Sequence, residues 1–305
     1  MQIFQQLVNG LALGSIYALI ALGYTMVYGV LRLINFAHGD VYMLGAYAGL
    51  FASGWFGINR VLETGGAPSF LSVALVFLAA MIICALVGVL IERFAYRPLR
   101  SSPRLAALIT AIGISMLLEF GGQAIFSPDP RQFPTLVPRV SVIDTATFDV
   151  SLVQVIIIGV AFLLMISLQL IVSKTKIGRA MRAVAQDRTA ASLMGINTDA
   201  IISFTFALGS ALAAAGGVLS SIYTPKIDPL IGLMVGLKAF VAAVLGGIGS
   251  IPGAVLGGLL MGFAETATVA GGKSEYRDAI AFAILIGVLL LRPAGLLGKN
   301  TSEKV

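Results

Sequence analysis

From residue 69 to residue 91 the chain reads SFLSVALVFLAAMIICALVGVLI, with no charged side chain and no proline. A helix needs roughly 20 mainly apolar residues to cross the hydrocarbon of a bilayer, and this run supplies them. Comparable runs lie at about 6–31, 36–57, 105–126, 150–172, 199–223, 234–247, 251–269 and 278–291. In hydrocarbon a segment must satisfy its own N–H and C=O groups, and these runs are too long and continuous for barrel strands. The fold class is therefore an all-α, polytopic transmembrane helix bundle. Composition agrees, with 58% hydrophobic and 11% charged residues, less than half the charged share of about 25% usual in soluble domains. The run at 234–247 is short, and Gly246, Gly247, Gly249, Pro252 and Gly253 in GGIGSIPGA mark a sharp break after it. Eight full spans plus one broken or re-entrant helix describes the chain as well as nine spans do, and residues 1–305 read as a single transmembrane domain.

The formal net charge is +6, but the excess sits in a few loops beside apolar runs, which is how orientation is fixed and not how nucleic acid is bound. Cys84 is the only cysteine, so there is no intrachain disulfide and no cysteine-based metal or redox site. No Lys or Arg precedes the first apolar run and no small-residue cleavage site follows it, so it reads as a retained helix and not a signal peptide. Arg93, Arg97, Arg100 and Arg104 outweigh Glu92 in one loop, and Lys174, Lys176, Arg179, Arg182 and Arg188 outweigh Asp187 in another. Both belong in the cytoplasm. The segment at about 127–149 holds four prolines and three aspartates and reads as an irregular outward loop, as does 265–278. Nine crossings place the N-terminus outside and the tail, with Arg292, Lys299 and Lys304, inside.

GGKS at 271–274 resembles the end of a phosphate-binding loop, but position 267 is Ala where that motif needs Gly. No nucleotide site is encoded. His38 is the only histidine, which excludes a multi-histidine metal site. Asn35, His38, Gly39 and Asp40 in NFAHGD read as a break at the cytoplasmic interface whose polar groups satisfy freed backbone; a proton relay through His38 and Asp40 is the alternative. Glu119 and Lys238 lie inside apolar runs, where an exposed charge costs about 2.5–3.5 kcal/mol. They are expected to face the interior, each other's neighbourhood or a wet cavity, as pathway groups, structural hydrogen bonds or partner contacts. Glu265, near an outer helix end, is expected to snorkel. The stretches at 30–47 and 244–262 echo one another weakly as glycine-rich reversals, which chance similarity explains.

The longest polar, helix-forming stretch is KIGRAMRAVAQDRTAASLMGIN, Lys176 to Asn197. Ile177, Met181 and Val184 recur at helical spacing opposite Arg179, Arg182, Gln186 and Thr189, giving an amphipathic helix of about four turns on the cytoplasmic surface. Lipid contact alone favours bulky Leu, Phe or Trp where TAASLMG offers small residues and a helix-ending glycine, so protein docking is the better reading.

At these residues the chain resembles permease subunits of ATP-binding-cassette importers, whose docking loop carries Glu-Ala-Ala, three residues, then Gly. Ala190, Ala191 and Gly195 match, Thr189 replaces the acid, and the following Ile-x-Leu-Pro element is absent. ALGSIYALIALGYTMVYGVLRLINFAHGDVYMLGAY, YRPLRSSPRLAALITAIGIS, GRAMRAVAQDRTAASLMGINTD and KAFVAAVLGGIGSIPGA are similar, in order, to the first of the two permeases of high-affinity branched-chain amino acid importers. The resemblance implies a bundle related to type II importers in the bacterial inner membrane. Its partners would be a second permease in a heterodimer, two ATPase subunits that bind ATP and Mg, and a periplasmic binding protein delivering leucine, isoleucine or valine. This chain would be no enzyme and hold no cofactor. A coupling helix at about 176–196 would use Arg179, Arg182, Ala183, Asp187, Ala190, Ala191 and Gly195. Candidate pathway or hinge residues are Asn35, His38, Gly39, Asp40, Glu119, Lys238, Gly246, Gly247, Gly249, Pro252 and Gly253. A related importer for urea, amides, other amino acids or sugars is the nearest alternative, and a secondary transporter a more distant one.

Overall fold

A computed structural model describes residues 2–100, 102–145 and 148–298; Lys299 and Lys304 of the tail lie outside the described residues. The helices are α1 (Gln2–Leu31), α2 (His38–Trp55), α3 (Ile58–Glu63), α4 (Phe70–Ile91), α5 (Arg104–Phe126), α6 (Leu152–Lys174), α7 (Lys176–Gln186), α8 (Arg188–Leu193), α9 (Thr198–Tyr223), α10 (Ile231–Gly246), α11 (Ile251–Ala270) and α12 (Arg277–Leu291). A π-helical turn, Glu92–Tyr96, extends α4. The helices at α1, α4, α5, α6, α9 and α11 are long and apolar enough to cross a membrane. With α2, α10 and α12 they account for the nine expected runs.

The segment after α5 is more ordered than its prolines suggest. Strand β1 (Arg131–Gln132) pairs antiparallel with β4 (Lys226–Ile227), and β2 (Ser141–Thr145) forms a hairpin with β3 (Phe148–Ser151). Phe133, beside β1, is buried and touches the position of Gly49. A sequence reading that weighs prolines alone misses this, because the ladder to β4 is long-range. The hairpin marks one face of the bundle: Gln5 accepts the Asp149 amide at 2.9 Å and Phe4 lies 4.6 Å from Phe148. The other face is marked by α7, with the end of α1 and the start of α9 beside it.

Helix–helix contacts arrange the chain as two quartets. α1 lies along α11 as α9 lies along α4; α2 packs on α4 and α9 as α10 packs on α11 and α1; α5 leans on α2 as α12 leans on α10. Gly23 meets Gly209 while Ile20 meets Gly216, so α1 and α9 run antiparallel and the quartets α1–α2–α4–α5 and α9–α10–α11–α12 are inverted copies. Such inverted repeats with broken helices are a common transporter plan. The sequence echo between 30–47 and 244–262 matches the wrong helices: α2 corresponds to α10, whereas α11 starts at the bundle's α7 face.

Among the described residues, six helices have side-chain N-caps: Ser69, Ser151, Thr175, Asp187, Asn197 and Ser250 open α4, α6, α7, α8, α9 and α11. Neither α2 nor α10 has one. Both begin inside the bundle, after the nonhelical segments 32–37 and 224–230 turn inward from opposite faces. They cross at their second residues, Gly39 and Gly232, where a Cβ on either glycine would meet the other's carbonyl oxygen at 2.5 Å. Small residues at such a crossing let two backbones touch, which is the packing device available in lipid.

Candidate functional site

The first candidate surface is the α7–α8 segment. Thr175 caps α7 by accepting the Gly178 amide at 3.0 Å, and Gly178 lies hard against the carbonyls of Ile171 and Val172, so α7 folds tightly off the end of α6. Met181 and Val184 are buried, as their spacing predicts. The expected single helix is, however, two. Asp187 adopts extended backbone (φ −151°, ψ 113°), ends α7, and caps α8 by accepting the Ala190 amide at 3.0 Å. A short acidic side chain prefers that capping role to a mid-helix position. Arg188 then anchors α8 by donating to the carbonyls of Val30 and Leu31 at 3.1 and 3.0 Å, the negative end of α1. Burial, with Arg100 and Arg32 nearby, lowers the pKa of Arg188 from its ordinary value. These three arginines line a cavity of about 380 Å³.

Arg179, Asp187, Ala190 and Gly195 are exposed here, Ala183 is half-buried and Ala191 is buried, so Ala191 holds α8 in place instead of facing a partner. Arg182, though exposed, is tied to the carbonyl of Val172. Gly195 has φ +81°, which ends α8 in a left-handed turn as its residue type predicts. The turn thrusts out two residues that the sequence pattern does not single out, Leu193 and Met194, 81% and 82% exposed. Only the neighbouring small residues hinted at them.

Of the predicted pathway residues, Asn35, His38, Gly39, Asp40 and Glu119 gather around the start of α2, well inside the bundle and not at an interface. The reason is the re-entrant segment 32–37. His38 lies against Gly23, about eight residues or roughly 12 Å before the end of α1, and packs edge-on to Tyr24 at 4.7 Å; its Nε2 is buried without a hydrogen-bond partner. Asn35 accepts the Tyr96 hydroxyl at 2.9 Å, which pins the re-entrant segment to the π-helical turn. That turn is itself held by Glu92, which takes Arg100 and, at 2.6 Å, the Ser203 hydroxyl, while Arg97 and Arg100 both reach Asp199. Asp40 accepts the Ser115 hydroxyl of α5 at 2.5 Å.

Lys238 is elsewhere, in the α10 half. It pairs with Asp278 at 2.6 Å and Glu265 at 3.2 Å. Glu265 does not snorkel: it is fully buried and also binds Arg277 and the Tyr17 hydroxyl, the latter at 2.7 Å. The proximity of Tyr17, 248 residues away in sequence, could not be anticipated from local pattern. Tyr17, Glu265 and Arg277 line a cavity of about 320 Å³ that also touches Asn9, Tyr42 and Thr224. Gly246, Gly247, Gly249, Pro252 and Gly253 form the tight α10–α11 reversal, where Ser250 caps α11, Gly246 contacts Gly253, and Gly246 accepts the Leu297 amide at 2.9 Å.

A family model described as "Branched-chain amino acid transport system / permease component" matches residues 6–289. The chain belongs to that family. Among relatives of this permease family, the high-affinity branched-chain amino acid transport system permease protein LivH of Salmonella typhimurium is 46% identical over 304 residues, covering 99% of this chain and 97% of that one. The corresponding BraD of Pseudomonas aeruginosa is 47% identical over 306 residues with the same coverage. The ribose import permease protein RbsC of Haemophilus influenzae is 32% identical over 127 residues, 40% of this chain and 39% of its own. The permease is thus a multi-pass membrane protein, and its apolar helices and the family agree on a transport subunit.

Proposed function

We propose that this permease carries leucine, isoleucine and valine, delivered by a periplasmic binding protein, across the bacterial inner membrane into the cytoplasm. The observation that carries the reading is identity of 46–47% along nearly the whole chain to permeases named for that transport; the similarity to the ribose permease covers less than half of it. It works as one permease of a heterodimer above two ATPase subunits, which bind the ATP and Mg and perform the hydrolysis. The α7 face is cytoplasmic, because Lys174, Lys176, Arg179, Arg182 and Arg188 concentrate there with Arg93, Arg97 and Arg100. The N-terminus is then periplasmic and the C-terminus cytoplasmic.

ATPase motion enters at α8, where Leu193 and Met194 stand out as apolar knobs, and passes through Arg188 to the end of α1. An equilibrium between inward- and outward-open bundles is biased through such differential contacts. The test is uptake of labelled leucine by proteoliposomes holding both permeases, both ATPases and the binding protein. ATP-dependent uptake is expected; its absence from an intact, ATP-hydrolysing complex would overturn the reading. Leu193→Glu with Met194→Glu is expected to abolish co-purification of the ATPases while leaving the permease pair intact. These residues test docking better than Arg182, whose guanidinium also serves the α6–α7 corner.

A further inference from the structure

The two acids of the α2–α5 seam are the one place among the described residues where buried carboxylates within the bundle have no cation. The face of α5 that meets α2 is set by contacts along its length: Ser115 to Asp40, Gly122 against Met43, and Phe126 stacked on Tyr47 with ring centroids 4.3 Å apart. Glu119 lies on that same face, one turn beyond the Ser115 that Asp40 bonds. It is only 9% exposed, and its Oε1 is buried with no hydrogen-bond partner. No Lys, Arg or His makes an ion pair with either acid among the described residues. Unpaired acids at membrane depth are costly, and they persist where something else is bound.

Three features say that more than the fold keeps these acids here. The structural counterpart of Asp40 across the inverted repeat is Leu233, since Gly39 matches Gly232; a helix can therefore start at this crossing without a carboxylate. The remaining sides of α5 are exposed, with Leu105, Ile109, Met116 and Leu117 facing out, so the seam is closed by one lightly held helix. Its chemistry is also one-sided: carboxylate oxygens only accept hydrogen bonds, and what they lack is a compact cation with several donors. Met43, Tyr47 and Phe126 supply apolar walls next to them.

We propose that Asp40 and Glu119 form a station inside the membrane for the α-ammonium group of the amino acid being carried, a proposal that rests on the importer reading above. Three ammonium N–H donors meet the free Oε1 of Glu119 and the Asp40 carboxylate as the seam opens, while the branched side chain lies against the Met43 side. The station selects for an amine and is indifferent to which branched side chain follows it.

The test uses the purified complex of both permeases and both ATPases, without binding protein, and two probes with the same carbon skeleton: L-leucine and 4-methylpentanoate, which keeps the side chain and carboxylate but lacks the ammonium. The wild-type complex is expected to prefer leucine. Glu119→Gln and Asp40→Asn are each expected to weaken leucine binding at least tenfold and leave 4-methylpentanoate unchanged, while Glu119→Asp restores part of the preference. Thermal melting and ATPase co-purification should match wild type for Glu119→Gln. Leucine binding and uptake at wild-type level in both variants would overturn the proposal, as for a carboxyl pair that only shares a proton. Equal weakening for both probes would also overturn it, since that is the signature of a structural bond or a salt bridge to the second permease. Wild-type complex that takes up another solute but not leucine would instead overturn the substrate reading itself.

Discussion

The α2 half and the α10 half of the bundle begin alike and then treat charge in opposite ways. Each has a helix that starts uncapped inside the bundle, crosses its counterpart at a glycine, and leans on a peripheral helix. In the α10 half the charges are balanced: Lys238 and Arg277 against Glu265 and Asp278, with the Tyr17 hydroxyl on Glu265. In the α2 half, Asp40 has one serine and Glu119 has an empty oxygen. The same backbone plan therefore carries a closed electrostatic lock on one side and an open, negatively charged seam on the other. Symmetric architecture with asymmetric charge lets one half stay rigid while the other meets a ligand.

The largest effect should follow from opening the lock. Lys238→Met leaves the fully buried Glu265 with Arg277 alone and takes the cation from the half-exposed Asp278; breaking one partner of a buried pair costs about 3–5 kcal/mol. Melting of the complex in one fixed lipid environment should fall by many degrees, and adding Glu265→Gln should recover part of it. If Lys238→Met melts like wild type, the lock is not what stabilises this half. Next comes the crossing itself. Gly39→Ala and Gly232→Ala each drive a Cβ into a backbone carbonyl at 2.5 Å, with no flexible side chain to yield; overpacking of this kind costs about 1–3 kcal/mol. The two variants should lose similar stability, and a loss confined to one of them would break the structural equivalence of the halves.

The sequence exposes this plan unevenly. Nine apolar runs and the basic loops suffice for the helices and their relative sidedness, because hydropathy and charge are local properties of a segment. Gly195 and Asp187 carry local signals too, although a capping Asp at 187 splits the amphipathic helix that the periodicity of Ile177, Met181 and Val184 suggests. Depth is not local. NFAHGD looks the same whether it turns at the membrane surface or inside the bundle, and only the packing of Gly39 on Gly232 and of His38 on Gly23 decides. Pairing is not local either. Lys238 and Glu119 look like natural partners among few charges, yet Lys238 is claimed by the half-exposed Asp278 and by Glu265, whose apparent position at an outer helix end hides its burial beside α10. Gly232 and Gly236, four apart, did offer a small-residue signal for the crossing.

Ser115→Ala gives a smaller effect than the glycine changes. It removes the hydroxyl that Asp40 accepts, and a hydrogen bond to a charged group contributes about 1.5–3 kcal/mol before the seam relaxes or admits water. The expected loss is at the low end of that range, read as a modest drop in melting temperature; no drop would mean that Asp40 finds another donor.

The smallest change in stability is expected from Glu119→Gln, and it is the sharpest test of the contrast between the halves. Replacing a charge normally costs stability when the charge is paired, as Lys238→Met should show. Here the replaced carboxylate has a buried oxygen without a donor, and desolvating such a group opposes folding. The amide keeps the shape and removes that opposition, so the variant should melt within about 1 kcal/mol of wild type or slightly above it. A large drop in melting would show that Glu119 is paired in the assembled complex, and would make the α2 half a second lock. A neutral or raised melting temperature together with impaired leucine transport would place stability in one half of the bundle and selectivity in the other, since a residue retained against its own folding cost has to be explained by what passes it.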